Sequence, residues 1–526
     1  MRITNKIMQK NNLANINTNK IYQDKLTTQM STQKKINRPS DDPVVAIRAL
    51  RLRSNVTEIT QYYSKNIPDA ESWLSVTEDA LKNLTEVITS MMSQCTKGSN
   101  GDLTSEDRAI ILEQLKNLGE EIYSTADADY AGRYIFTGFR TDTSLRFLEE
   151  ETKKYTITEQ LDNSAIDMVT KVDSGKLLDL NVNNYASADN KGITEADVSS
   201  VDVYRIRLAY DNCDDASAIE VKRKNADGSY KTIWPDVNAN PKVDIERVHS
   251  YEIPDPYSQV AGEDNADRVI FVPETGELLM GKNAYSTLMA VKDDPATIAN
   301  EGEITVTYEK SEWLQGDLRP EHYFACMAVD PDTNAKIEYN PGYLEGEIED
   351  QAIEYDVGFN QTIRVNSTAD ECFQHGIGRE VDDLIESLEA VQDLEAVKAK
   401  IETWMETAAD DEKQDILTAQ LNAVDKALAF AKDKCQRMFE GGITAFQGYL
   451  DDANLCITQC GTRGSKLELI GNRMQNQKTT FETLKSENED ADITEVAIQL
   501  SSAELTYEAA LMATGKVMQT TLLNFI

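Results

Sequence analysis

Histidine and aromatic residues are scarce in this sequence of 526 residues. Three histidines are present, His249, His322 and His375, and they lie far apart along the chain. We therefore expect neither a histidine-based metal centre nor a histidine general base. Aromatic residues make up 7% and hydrophobic residues 40% of the chain, a balance that is commoner in long helices than in compact enzymes.

Long apolar runs are lacking as well. No window approaches the roughly 18 apolar residues that a membrane-spanning helix needs. The first residues, MRITNKIMQKNNLANINTNK, contain no apolar core and no small-residue cleavage site, so they are unlike a secretory signal peptide. We expect no membrane insertion, and the protein either stays inside the cell or leaves it through another export machine.

Basic residues are outnumbered, with 53 Lys and Arg against 91 Asp and Glu and a formal net charge of −38. A chain this acidic is a poor candidate for nucleic-acid binding, which depends on neutralising phosphates. Its length corresponds to about three or four domains of ~150 residues each. A chain of this length can bury hydrophobic cores large enough to be stable without disulfides or structural metals.

The cysteines do not form the pattern of a disulfide framework. There are seven, an odd number without regular spacing, whereas such frameworks are even and dense. Cys456 and Cys460 are the closest pair and lie one helical turn apart on one face. We interpret them as two small core residues, with a redox or metal-binding pair as the alternative.

Residues 276–283, GELLMGKN, fit the start of a phosphate-binding loop. That loop requires Ser or Thr next, to hold Mg²⁺, and then a helix whose amides face the phosphate. Asn283 occupies the Ser/Thr position, and bulky Leu278, Leu279 and Met280 fill the loop. The sequence therefore favours strand–turn–strand, with the turn at 274–276.

Other motifs with chemical potential are also incomplete. The segment from Asp330 begins like a calcium loop, but Ala335 stands where Gly is required and Pro341 replaces the bidentate acid. The acidic pairs at 382–383 and 410–411 are expected to lie on solvated helix faces. Because G-x-S-x-G, HExxH and paired CxxC motifs are missing, we predict no enzyme activity, no cofactor and no metal.

Both ends of the chain carry heptad patterns typical of coiled coils. Up to Arg38 there are eight basic residues and one acid, whereas from Ala491 onward there are four acids and one base. Opposite charge on matched heptads predicts that the ends pair with each other or with neighbouring copies. The predicted seams comprise Ile7, Ala14, Ile21 and Thr28 at one end, and Ala497, Leu500, Glu504, Leu511, Met518 and Phe525 at the other.

Between these arms the predicted secondary structure changes from helix to strand and then back to helix. Ser40 or Asp41 is predicted to cap a long helix whose apolar residues follow helical spacing from Val56 to Met91, with Pro68 kinking or breaking it. Thr104 is predicted to begin a second helix, and residues 134–138 read as a strand entering a hairpin. Short alternating runs from about 149 to 370, such as 203–208 and 303–308, predict strands. Helices resume from about 377, with an apolar seam from Ile443 to Leu484.

The predicted fold is mostly α with a β-rich insertion. We expect an elongated rod of nested layers, in which N- and C-terminal helices pair in an α-helical coiled-coil bundle and the β domain faces outward. The predicted division is an N-terminal arm (1–42), the N-terminal half of a helical shell domain with its hairpin (43–148), the outer insertion (149–370), the C-terminal half of the shell (371–487) and a C-terminal arm (488–526).

Several segments resemble the flagellin superfamily of bacterial flagella. The heptad arm is followed by KINRPSDDP at 35–43, in which Asn37, Arg38, Ser40, Asp41, Asp42 and Pro43 match the family motif. QYYSKN at 61–66 matches the family's long helix with its internal asparagine, Asn66. The segment GRYIFTG at 132–138 and the tail from Tyr507 also match. The resemblance covers about 1–147 and 440–526, and Pro39, Pro43 and Trp73 favour junction subunits over filament flagellin.

The resemblance implies a structural protein of the flagellum, an adaptor between hook and filament, with filament-forming flagellin as the alternative. Its terminal helices would assemble with copies of itself in a ring and contact a neighbouring hook-associated protein and flagellin. It would be delivered by an export chaperone and the type III export apparatus, without a cleavable signal peptide, to an extracellular position. Ile7, Ala14, Ile21, Leu500, Leu511, Met518 and Phe525 would lie at subunit interfaces.

Overall fold

The computed structural model describes residues 5–101, 103–215, 218–224, 230–235, 244–252, 254–289, 304–330, 333–345, 351–407 and 410–519. The protein is mostly helical, at 58%, with a strand-rich region between two helical ones. The predicted seam residue Phe525 lies outside the described residues.

Long helices make up both ends of the chain, and two short ones lie in the strand-rich region. In chain order they are α1 (Asn5–Thr32), α2 (Pro43–Gln61), α3 (Ile67–Gly98), α4 (Ser105–Ala126), α5 (Pro256–Val260), α6 (Lys282–Met289), α7 (Ala369–Cys372), α8 (Gly376–Thr407), α9 (Asp411–Glu489) and α10 (Ile493–Gln519).

The strands form two larger sheets and two hairpins. They are β1 (Asp129–Tyr130), β2 (Arg133–Tyr134), β3 (Glu151–Leu161), β4 (Ile166–Asp173), β5 (Ser199–Arg207), β6 (Glu220–Lys224), β7 (Tyr230–Trp234), β8 (Ile245–Arg247), β9 (Val269–Val272), β10 (Glu277–Met280), β11 (Ile304–Trp313), β12 (Ala325–Val329), β13 (Lys336–Tyr339), β14 (Glu354–Gly358) and β15 (Gln361–Arg364). A five-stranded sheet has the order β4-β5-β10-β9-β8, and a six-stranded sheet has the order β13-β12-β3-β11-β6-β7. The hairpins are β1-β2 and β14-β15. The predicted runs at 203–208 and 303–308 therefore fall mainly on β5 and β11.

Contacts between Cα atoms divide the chain into two units. The first unit comprises residues 1–71, 355–363 and 464–526, and the second comprises 72–354 and 364–463. The first holds α1, α2 and α10, and the second holds both larger sheets. The division predicted from the sequence, into arms, a helical shell and an insertion, follows different boundaries and stays a prediction.

The apolar spacing predicted through α3 is confirmed. Its buried residues follow steps of three and four, which places them on one stripe of the helix. Thr104 also begins α4 as predicted, with a reciprocal capping box to Asp107. The buried stripe comprises Ile67, Ala70, Leu74, Thr77, Leu81, Leu84, Ile88 and Met91.

Of the two outcomes predicted at Pro68, a kink or a break, the break does not occur. Residues 43–98 are helical throughout, with one π-helical turn at Tyr62–Asn66 immediately before the proline. There the N–H of Ile67 donates to the carbonyl of Tyr62, five residues back. Proline removes one donor and crowds the preceding turn. A π turn widens the helix at this point, so the chain continues without a break.

Two other predictions need correction. The cap of α2 is Asp42, whose carboxylate accepts from the N–H groups of Val44 and Val45 at 3.0 and 3.1 Å, because the helix begins at Pro43. The predicted strand at 134–138 overlaps β2 only at Tyr134. The hairpin lies earlier, since Ala131 and Gly132 adopt positive φ and turn the chain there.

The acidic segment of α8 is not a solvated face at Asp383. This residue is buried and accepts from Arg205 at 3.0 Å and also from Arg207, both on β5. Arg205 also donates to Asp167 at 2.7 Å and to Glu277 at 2.6 Å. A buried charge is tolerated only when it is paired and hydrogen-bonded. The sequence showed a run of acids, but the arginines that bury one of them are some 180 residues away.

The segment that begins like a phosphate-binding loop is strand–turn–strand, as predicted. β9 and β10 are antiparallel neighbours, and the residues between the glycines of the motif form β10 itself. At the turn, Gly276 has φ +63°, and a Cβ there would lie 2.0 Å from the carbonyl oxygen of Tyr210. The glycine is required both by its backbone conformation and by this close approach.

None of the helices that the structure describes combines the length and the apolar character needed to cross a bilayer.

Substituting Gly276 by alanine should lower the free energy of unfolding by about 2 kcal/mol or more, because it adds both left-handed strain and a collision with Tyr210. Denaturant unfolding of the purified protein measures this. Gly175→Ala is the matched control, since Gly175 has φ +54° but its nearest neighbour would be 3.8 Å away. Equal losses in the two variants would contradict the collision.

Candidate assembly interface

α1 and α10, the two ends of the described chain, pack against each other. Their shared core is small: Leu26, Val496 and Ala503 are buried, with Ala491 and Leu500 packed beside them. The phenol of Tyr22 also donates to the side-chain carbonyl of Gln499 at 3.1 Å. So small an apolar core provides limited stabilisation for two helices of 28 and 27 residues.

The face of α1 that α10 covers is largely polar. Up to Leu26 its less exposed positions step by three and four residues and are Gln9, Asn12, Ile16, Asn19, Gln23 and Leu26. Thr28, from the predicted seam, and Gln29 are also half-buried. The predicted seam residues Ile7, Ala14 and Ile21 are displaced from this face by two residues, which is about 200° around a helix. They are exposed, with Ile21 at 64%.

α10 is divided less sharply. Val496, Ala503 and Thr514 are buried, and Ala497 and Leu500 of the predicted seam are half-buried, as are Gln499, Tyr507 and Ala510. Leu511, from the predicted seam, is 46% exposed, and the backbone of Met518 lies in the last turn of the helix. A further stripe repeats every seven residues on the surface, Ile498, Leu505 and Met512, with Leu505 at 73% exposure.

The bases of the two arms are joined by backbone hydrogen bonds. The N–H of Lys35 donates to the carbonyl of Glu489 at 2.7 Å, and the N–H of Ala491 donates to the carbonyl of Gln33 at 2.9 Å. Between them Lys34 and Asp490 form an antiparallel bridge. Gln33 has φ 58°, which turns the chain out of α1. This two-sided junction, which we call the basal clamp, holds together residues more than 450 positions apart in the sequence.

A buried carboxylate lies at the centre of the basal clamp. Glu489 is 2% exposed and accepts two hydrogen bonds from Arg53 of α2, at 2.6 and 2.7 Å. The Lys34 ammonium is 3.8 Å from the same carboxylate. The hydrogen bonds from Arg53 hold the pKa of Glu489 below its ordinary value, and Lys34 does the same for the pKa of Asp490. The fork-to-fork geometry orients α2 relative to both arms.

The motif residues between α1 and α2 form the turn that leads out of the clamp. The carboxylate of Asp41 accepts from the N–H groups of Asn37 and Arg38 at 3.2 and 3.0 Å, which lowers its pKa. Asp42 then caps α2, Pro43 occupies its first position, and Ser40 is exposed. The two consecutive acids therefore have different tasks, one closing the turn and the other starting the helix.

Asn66, the remaining motif residue, lies in the π turn. Its side-chain amide donates to the carbonyl of Asp356 in β14 at 2.8 Å. The phenol of Tyr355 donates to Asp69 at 2.5 Å, and the rings of Tyr62 and Phe359 meet edge to face at 5.8 Å. The β14-β15 hairpin is attached to the helix at this turn.

Sequence reasoning missed Arg53 and Glu489. Each is a charged residue in a helical segment rich in charge, and no periodicity distinguishes them from solvated neighbours. Their pairing depends on a separation of 436 residues that only the folded chain closes.

The resemblance to flagellins is confirmed for the N-terminal region. Residues 3–141 match the family model described as the bacterial flagellin N-terminal helical region. The matched span contains α1 to α4, the motif turn and the π turn. It is about a quarter of the chain.

Two relatives carry the name flagellar hook-associated protein 3. The protein from Salmonella typhimurium is 31% identical over 145 residues, covering 27% of this chain and 45% of its own length. The protein from Escherichia coli is 32% identical over 154 residues, covering 29% of this chain and 48% of its own length. The chain therefore spans about half the length of the curated relatives it matches. A solved hook-associated protein-3 from Legionella pneumophila is 12% identical and aligns over 78% of this chain and 97% of its own, with a TM-score of 0.22.

Replacing Glu489 by glutamine should weaken the basal clamp by about 1 kcal/mol, a modest figure because Arg53 is partly exposed. The backbone amides of Lys35 and Ala491 should then exchange their hydrogens about fivefold faster. Glu495→Gln makes the same chemical change at an exposed site on α10 and should leave both amides unchanged. Unaltered exchange in Glu489→Gln would contradict a stabilising role for the carboxylate.

Acid should release the clamp. Glu489 and Asp490 have pKa values below their ordinary 4.5 and 3.8, so the stabilisation is fully present above about pH 4.5 and is lost as pH falls through the lowered values. The difference in Tm between the wild type and Glu489→Gln should therefore be present at pH 7 and shrink progressively as the pH is lowered from about 4.5. A Tm difference that stays the same at pH 7 and below pH 4.5 would show that the negative charge of Glu489 does not account for the stabilisation.

Proposed function

We propose that this protein is a structural subunit of the bacterial flagellum that joins hook to filament and assembles through its terminal helices. The observation that carries the proposal is the agreement between the flagellin match over residues 3–141 and relatives named flagellar hook-associated protein 3. Because the chain spans about half the length of those relatives, the function of the whole protein is inferred from this shared region.

The apolar surface of the arms supports an assembly role. Three exposed sets, one each on α1, α2 and α10, are available for contact with other subunits. Full burial of a single side chain of this kind contributes about 1.5–3 kcal/mol. The sets are Ile7, Leu13 and Ile21 on α1, Val44, Ile47 and Leu50 on α2, and Ile498, Leu505 and Met512 on α10.

The weak pairing within one chain supports the same conclusion. α1 presents mostly amide side chains to α10, whereas its isoleucines at 7 and 21 face away from that contact. A second helix cannot reach both faces of α1, so a bundle of several helices is needed to bury them. Neighbouring copies would supply these helices and complete an α-helical coiled-coil bundle, with the strand-rich region turned outward.

The proposed partners follow from this position. Copies of the chain would form a ring between a neighbouring hook-associated protein and flagellin. Delivery would require an export chaperone and the flagellar type III apparatus, and the protein would act outside the cell in an elongated form. The described residues contain no group of three or more His, Cys, Asp or Glu arranged to hold a metal. The role that we propose is structural and not enzymatic.

Filament-forming flagellin is the alternative, since the matching family model is that of flagellin itself. Antibody labelling of whole flagella, viewed by electron microscopy, separates the two. A single band where hook meets filament supports the junction proposal. Label along the entire filament would make the protein a flagellin, and absence from flagella would reject both.

Leu511→Asp should abolish incorporation into flagella while leaving export and the fold of the subunit intact. Leu511 is 46% exposed in the single chain, so a carboxylate there costs little until another helix covers it. Export into culture medium, circular dichroism of the purified subunit and immunolabelling of flagella measure the three properties. Leu500→Asp is less informative, because Leu500 packs against the core shared by α1 and α10.

Leu314→Asp is the matched control, at a leucine 51% exposed in the strand-rich region. We expect it to be incorporated normally. Normal incorporation of Leu511→Asp would remove that residue from the interface, and loss of incorporation in both variants would show that the assay reports general damage.

A further inference from the structure

A short segment, residues 366–374, lies along one stretch of α9 within the second unit. Near one end Arg463 donates to the carbonyl of Asn366 at 2.8 Å. Near the other end the side chain of Gln374 donates to the carboxylate of Asp452 at 2.7 Å. The two contacts show that the segment and the helix run in opposite directions. α7, whose last residue is Cys372, lies between them.

Cys456 of α9 faces the middle of this segment. Its thiol donates to the carbonyl of Glu371 at 3.2 Å, and Glu371 is bonded directly to Cys372. Cys372 and Cys456 are both buried. Cys460, one turn further along α9, instead points its thiol at the carbonyl of Leu74, at 3.4 Å. Cys456 therefore lies against α7, whereas the thiol of Cys460 is turned toward α3.

We propose that Cys372 and Cys456 form a disulfide that ties α7 to α9. A low-molecular-weight disulfide such as glutathione disulfide is the oxidant. One cysteine thiolate attacks a glutathione sulfur and releases one glutathione thiol, and the second cysteine displaces the other. One protein S–S bond forms, one glutathione S–S bond breaks, and the two electrons and two thiol protons end on two molecules of reduced glutathione.

The timing of this reaction follows from the surroundings of the pair. Hydrogen bonding to Cys456, together with burial, holds the pKa of the Cys372 thiol well above its ordinary value. Because the thiolate is the nucleophile, the folded, reduced pair should react slowly. The bond should form while the chain folds, when the sulfurs are accessible and the segment is settling on α9. This inference is independent of the assembly proposal, since it concerns one purified chain.

The test is to refold the purified full chain from denaturant at pH 8 with glutathione disulfide, alkylate the remaining thiols and map tryptic peptides by mass spectrometry. Cys372 is the one cysteine in peptide 365–379, whereas peptide 438–463 holds both Cys456 and Cys460. Cys460→Ser resolves this ambiguity and should still give the linked peptides. The proposal predicts linkage of 365–379 to 438–463 in most molecules of both the wild type and this variant.

Three results would overturn the proposal: full alkylation of Cys372 and Cys456, glutathione left on either of them, or a Cys456–Cys460 bond. Thermal unfolding gives a second readout. The disulfide closes a long loop, so the oxidised wild type and Cys460→Ser should melt roughly 5–10 °C above their reduced forms. Cys372→Ser should show no such difference, and a difference of equal size in it would assign the effect to other cysteines.

Discussion

The arrangement of the first unit depends on the charged contact between Glu489 and Arg53. It joins the end of α9 to α2 at the place where both arms leave, and the backbone bonds around Lys34 and Asp490 lie beside it. A carboxylate that is 2% exposed must keep its partners, so this contact specifies which residues of the two chain ends lie opposite each other. The packing of α1 on α10 is too sparse to do so, because three buried residues allow several registers.

The two arms are held in register at the basal clamp but pack loosely beyond it. Such an arrangement suits a protein whose terminal helices bury their remaining apolar residues when subunits assemble. The clamp would align the two arms, and the exposed stripes on α1, α2 and α10 would remain for neighbouring copies. The second unit has the opposite character. Its helices and sheets are joined by buried ion pairs around Arg205 and Asp383, by a buried α3 stripe and by the seam of α9.

Sequence reasoning succeeded where one local pattern decides the outcome. The apolar steps along α3, the capping box at Thr104 and the strand–turn–strand at 269–280 are all properties of consecutive residues, and the structure has them. It did not reveal that the helix continues past Pro68 through a π turn, because the spacing of apolar residues carries no sign of such a turn. It failed at Asp383 because the residue's partners come from β5.

The sequence by itself determined the helical ends, the strand-rich middle, the scarcity of catalytic side chains and the flagellin-like motif at 37–43. These are features of composition and short-range periodicity, which act over a few residues. The tertiary structure alone decided which face of each arm is covered, that Glu489 is buried against Arg53, and that Cys456 lies against α7. Such pairings depend on where distant segments meet, and that is set by the packing of the whole chain.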